Sequence, residues 1–156
     1  MTSRLPIIPA RDSAECAIVP PPAEAAGSPQ RPDLRDQDLF DVLVAFYVSV
    51  AKEPILAAYF ERVDMPAHLP RIVDFWSTLL FHTGRYSGNA FAPHLDMPGL
   101  TPNHFGRWLA TLERTVDDAH AGPNAERMKA LGHRVAYSMQ LRLGLTPVVA
   151  YRPDLS

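Results

Sequence analysis

Cysteine is all but missing: Cys16 is the one thiol in 156 residues, so no internal disulfide can form, and there is no C-x-x-C pair for zinc or an iron–sulfur cluster. That usage suits a reducing cytoplasm. No run of 18 or more apolar residues occurs, which argues against a membrane-spanning helix. The N-terminus, "MTSRLPIIPARDSAECAIVPPP", has neither an unbroken apolar stretch nor a small-residue cleavage site after one, so no secretory signal is expected. An excess of positive charge is lacking too. With 15 Lys and Arg against 17 Asp and Glu, a net charge of -2 and a pI near 6.3, the chain has no basic field for nucleic acid. Alternating strand patterns and internal repeats are likewise absent. What remains is ordinary globular usage, 47% hydrophobic and 21% charged, in a length that fits one all-α domain.

Proline is plentiful but unevenly spread. Pro6, Pro9, Pro20, Pro21, Pro22, Pro29 and Pro32 crowd the first 32 residues, where "VPPPAEAAGSPQRP" has no hydrophobic period. Each proline also holds the residue before it out of helical geometry. Residues 1–35 are therefore expected to be a flexible tail, with docking through Leu5, Ile7 and Ile8 as the alternative. Residues 36–146 form the domain, and 147–156 a short C-terminal tail.

From Asp36 the pattern becomes helical, with Leu39, Leu43, Phe46, Tyr47 and Val50 on one stripe before Pro54 ends it. A short, partly helical "ILAAYFERV" follows, then a helix over residues 66–82. Thr101 before Pro102 marks the start of the next helix, whose stripe is Phe105, Trp108, Leu109, Leu112 and Val116. Past "AGPN", Met128, Leu131, Val135, Met139 and Leu143 mark a last helix ending at Gly144. Gly132 inside it costs about 1 kcal/mol relative to alanine, which suggests close packing there. Residues 83–100, "TGRYSGNAFAPHLDMPGL", hold too many glycines and prolines for a long helix. They are also longer than a simple connector needs, and such loops commonly carry function.

The helix over 66–82 has more apolar surface than one contact requires. At 100° per residue, Ile72, Phe75, Leu79 and His82 lie within about 40° of His68, while Leu69, Val73, Trp76 and Leu80 occupy the adjoining sector. The apolar arc covers about half the circumference, where a surface helix needs little more than about 100°. Two sides must be buried, one on protein and the other against a further helix layer or a flat apolar cofactor.

No pair of histidines has metal-cage spacing. His68 and His82, about 21 Å apart along one helix, cannot share an ion, and neither H-x-x-x-H nor a Cys/His zinc pattern occurs. A haem iron needs only one protein ligand, since the porphyrin supplies four nitrogens. His94, in the irregular loop between Pro93 and Pro98, and His104, in the first turn of its helix, are both candidates on these grounds.

The ordered set "FYVSV", "AHLPRIVDFWSTLL", "TGRYSGNAFAPHL" and "HFGRWL" resembles the truncated haemoglobins, the two-over-two globins, and is most similar to group III. The resemblance spans residues 36 to about 145. It implies a two-over-two helical sandwich around haem b, with an irregular proximal loop in place of a full F helix. By the same resemblance His94, not His104, is the proximal iron ligand, and Tyr47, His68 and Trp108 are the distal groups that stabilise a bound ligand. Phe46, Phe60, Ile72, Phe75 and Trp76 line the pocket, and Arg71 meets a haem propionate. The chain departs from the family pattern at Met65, where an aromatic residue often stands, at Pro70 and in its proline-rich tail.

The implied function is binding of O2, NO or CO at the haem iron. Distal donors favour slow release, hence ligand chemistry such as NO dioxygenation or peroxide reduction, served by an electron donor or reductase, over oxygen delivery. The alternatives are a gas or redox sensor acting through the tail and a haem-free helical interaction module. A cytoplasmic monomer without nucleic-acid or membrane partners is expected.

Overall fold

The computed structural model describes residues 30–147. Within them a 3-10 turn at Asp36–Asp38 leads into α1 (Leu39–Val50), α2 (Ala57–Phe60), α3 (Met65–Phe81), α4 (Ala92–Leu95), α5 (Pro102–Ala119) and α6 (Pro123–Arg142). Among the described residues there is no strand, and no helix is long and apolar enough to cross a membrane.

The helix ends follow from local chemistry. Asp64 starts α3 by accepting the Ala67 N–H at 3.2 Å, and Pro66 sits in the first turn, where a missing N–H costs nothing. At the other end His82 takes the left-handed conformation, φ 56, and donates its N–H to Thr78 O. Its Nε2 lies 3.0 Å from the Arg127 guanidinium and accepts from it. His82 is thereby committed to the α3–α6 surface, although the helical wheel puts it on the face of His68.

Helix α1 packs on α3 and on α5, α5 on α6, and α3 on α6, which makes two antiparallel-type pairs stacked as a two-layer sandwich. Leu39, Val42, Leu43, Phe46 and Val50 of α1 are buried between the layers with Leu69, Trp76 and Leu80 of α3. Each such side chain contributes about 1.5–3 kcal/mol on leaving water. Gly132 stands where α6 meets α5: a Cβ there would lie 2.6 Å from Leu112 Cδ2. The close packing suggested by a glycine inside a helix is what the structure contains.

Packing begins upstream of residue 36. Pro32 O accepts the Ala121 N–H at 3.1 Å, and Leu34 is fully buried. Asp33 reaches across to the start of α6, where its carboxylate accepts the N–H groups of Asn124 and Ala125 at 3.1 and 3.0 Å. Residues 32–35, assigned to the tail from sequence, thus belong to the domain edge. Leu5, Ile7 and Ile8, and residues 148–156, lie outside the described residues.

Candidate functional site

At the end of the sandwich opposite Asp33, the helices enclose a cavity with about 240 Å³ of room for water centres. A single buried water needs only about 10–15 Å³ on that measure. The cavity is therefore built for something much larger than water. Its walls come from α3 as far as Trp76, Tyr47 of α1, α2, α4, the first half of α5 and the last half of α6. The second side of the over-apolar α3 faces this space: His68, Ile72 and Phe75 line it, while Leu69 and Leu80 go to the protein core.

Tyr47, Phe60, His68, Arg71, Ile72, Phe75, Trp76, His94 and Trp108 all line the cavity, so the structure brings nine of the ten expected residues together. Phe46 is the exception. It is fully buried behind the wall, edge-on to Tyr47 with ring centroids at 4.8 Å and to Trp108 at 5.5 Å. The physical reason is rotation: Tyr47, one residue on, takes the cavity side of α1, which turns Phe46 about 100° into the core. Phe46 thus sets the positions of two cavity side chains without touching the space itself.

The polar groups divide by side. His94, in the single turn α4, has Nδ1 2.9 Å from Ala90 O, so Nδ1–H donates to that carbonyl and Nε2 keeps its lone pair. Burial lowers the pKa of His94, the Ala90 hydrogen bond opposes this, and the nearby His68 lowers it further. The imidazole is accordingly held neutral, the state in which it ligates a metal. Burial alone pushes the Tyr47 phenol well above its ordinary range, so its hydroxyl stays protonated. Trp108, on α5, can only donate.

Its helix is fixed by Glu53, a buried carboxylate after α1 that binds Arg107 Nε at 2.5 Å and Arg114 at 3.5 Å. Next to Arg107 in sequence, Trp108 is thereby pointed between Phe46 and the cavity.

His104, the other candidate, is engaged differently. Its Nδ1 accepts the Thr101 N–H at 3.0 Å and lies 2.7 Å from Thr101 Oγ1, in a reciprocal cap at the start of α5. It lines the cavity, but as the ring beside Tyr59, with centroids 5.5 Å apart and planes at 89°. His120 and His133 lie elsewhere, bonded to Pro32 O and to Glu113 Oε1. Among the described residues no cluster of three or more His, Cys, Asp or Glu could hold a metal ion by itself.

Sequence reasoning missed several cavity residues. Tyr86 lines the mouth, where a Cβ on Gly88 would meet its hydroxyl at 3.1 Å and Arg71 Nη2 at 3.5 Å. The two side chains therefore flank one small gap. Val135 and Met139 form the floor from α6. Their place on the apolar stripe was visible, but not what the stripe faced. Tyr59 and Met97 line the cavity too.

The residues fit haem: a mostly apolar slot, one neutral imidazole with a free Nε2, and a cationic and a hydroxyl donor together at the mouth for carboxylates.

No protein-family model matches the chain. It is similar to a group 3 truncated hemoglobin of Campylobacter jejuni, with 24% identity over 90 residues that make up 54% of this chain and 71% of that protein. A crystal structure of a group III truncated hemoglobin from Campylobacter jejuni matches with a TM-score of 0.66 at 22% identity, over 73% of this chain and 94% of that one. The shared fold is the two-over-two truncated-globin sandwich, and in this chain residues 83–100 hold only the single turn α4.

Proposed function

We propose that this chain, whose fold is that of a group III truncated haemoglobin, holds haem b in the cavity and binds a diatomic gas there, O2, NO or CO. Bound haem supplies an iron with four porphyrin nitrogens and a position open to a gas. The observation that carries the proposal is His94, with Nδ1–H spent on Ala90 O and Nε2 left free in an apolar cavity that Tyr47, His68 and Trp108 also line.

In this reading His94 Nε2 is the fifth ligand, and the Ala90 carbonyl fixes the ring's tautomer and raises its basicity. Arg71 and Tyr86 donate to the porphyrin carboxylates at the mouth. Tyr47, kept protonated by burial, and Trp108 donate to the gas ligand, and His68 donates or accepts according to its tautomer. Phe60, Ile72, Phe75 and Trp76 grip the flat ring and exclude water.

Hydrogen bonds to a charged ligand contribute about 1.5–3 kcal/mol each when buried, and about 1.4 kcal/mol is a factor of ten in affinity. Two donors therefore retard gas release by orders of magnitude. Slow release favours chemistry on the ligand, NO dioxygenation or peroxide reduction with an external electron donor, over oxygen delivery.

The test is the oxygen dissociation rate of the haem-loaded protein. A slow rate that rises about tenfold or more in Tyr47→Phe and in Trp108→Phe supports the reading. A fast rate that neither substitution alters contradicts the distal assignment.

A further inference from the structure

The segment that carries His94 is lightly held. From Asn89 to Met97 its hydrogen bonds are local: Phe91 N–H to Asn89 Oδ1, His94 Nδ1–H to Ala90 O, and the one-turn pattern of His94, Leu95 and Met97. At one end the Arg142 guanidinium lies 3.7 Å over the Phe91 ring. At the other, the Tyr59 hydroxyl of α2 donates to Pro98 O at 2.8 Å, across 39 residues of sequence.

The same Tyr59 ring meets His104 edge-on, and His104 is locked by Thr101, so the phenol is steadied from the side that does not move with α4. Gly99 lies beside it, with a backbone conformation that favours glycine. That residue has φ +75, and a Cβ there would sit 3.5 Å from the Tyr59 hydroxyl. Tyr59, Met97, Leu100 and His104 all line the cavity, so this clasp forms one of its edges.

We infer that Tyr59 is a positioning residue for the proximal side: its hydroxyl, by holding Pro98 O, sets the His94 turn and closes the edge through which haem would leave. The inference rests on the haem reading above. It differs from that reading in assigning a role to a residue with no part in ligating iron or bonding the gas. Removing the hydroxyl frees one end of a segment whose other hydrogen bonds are its own, so the imidazole gains freedom while the apolar grip on the ring is unchanged.

The experiment compares wild type, Tyr59→Phe and, as a surface control, Tyr137→Phe, whose residue is exposed on α6. Each is loaded with haemin. Two quantities are measured: haem transfer to an excess of an apo-globin acceptor, and the iron–histidine stretching frequency of the ferrous form. Tyr59→Phe loses haem about fivefold faster, the effect of one hydrogen bond, and its stretching band shifts or broadens. Tyr137→Phe matches wild type in both.

The urea midpoint of the haem-free Tyr59→Phe chain stays close to wild type, which separates positioning from general destabilisation. Equal haem loss and an identical band in Tyr59→Phe and wild type overturn the inference while leaving the haem reading intact. Failure of wild type to take up haemin overturns both.

Discussion

The two ends of the sandwich are built on opposite principles. Around the α5–α6 turn apolar side chains are buried and several backbone groups are paired across the chain. Leu34, Leu39, Val116, Ala125 and Met128 are fully buried there, Pro32 O takes the Ala121 N–H, Asn124 Nδ2 donates to Leu34 O, and Asp33 serves as the cap that Gly122 cannot provide. At the other end the same helices, continued a few turns further, enclose a hollow, and the segment carrying His94 is tied down at few points. One end is complete as a polypeptide. The other leaves an apolar cavity lined by Tyr47, His68, His94 and Trp108, so a filled end and a hollow end lie along the length of the same helices.

Loading with haem tests that contrast most strongly. At free haem a thousandfold above its dissociation constant the native state gains about 4 kcal/mol. Amide exchange should slow mostly in residues 87–100 and α2 and little around residues 120–128. Equal slowing at both ends would break the comparison.

The next effect belongs to the filled end. Gly122 has φ +144, and a Cβ there would lie 2.6 Å from Asp33 Cγ, so Gly122→Ala combines backbone strain with loss of the cap. It should lower stability by about 2–3 kcal/mol in urea unfolding, with the spectrum of the loaded protein unchanged.

A smaller loss, about 1–2 kcal/mol, is expected from Asp33→Ala, which removes the cap alone. For Asp33, burial raises the carboxyl pKa, but the N–H groups of Asn124, Ala125 and Leu34 outweigh it and the net shift is downward. A depressed native pKa means the carboxylate's contribution is fully present above the unfolded value of about 3.9 and is lost as pH falls through the native one. The gap between wild type and Asp33→Ala in urea midpoint should therefore be constant near neutral pH and close on acidification below about pH 4. A gap that persists undiminished in acid would show that Asp33 acts by something other than its charge.

Much of this was legible in the chain because helical period is a local signal. The Thr101–Pro102 pair gives the observed start of α5, and the stripe Phe105, Leu109, Leu112, Val116 gives its buried face. The surplus apolar arc of α3 foretold a second buried side. What distance along the chain hides was not legible. Asp33 and Asn124 are 91 residues apart, so nothing near either marks the pair, and a proline-rich run made residues 32–35 look like tail. Phe46 and Tyr47 show the limit of the wheel: both adjacent aromatic residues were expected in the site, but packing turns only Tyr47 to the cavity. His94 lies in a one-turn helix that glycine and proline obscure, so the expectation for it rested on resemblance and not on periodicity.

The most direct test is the absorption spectrum of the haemin-loaded protein, ferric and ferrous, in wild type beside His94→Ala with and without added imidazole. The account predicts a histidine-ligated spectrum in wild type, its loss in His94→Ala, and its return when free imidazole fills the vacated position. A wild-type spectrum that survives the substitution unaltered would contradict it, since iron would then be held by some other side chain.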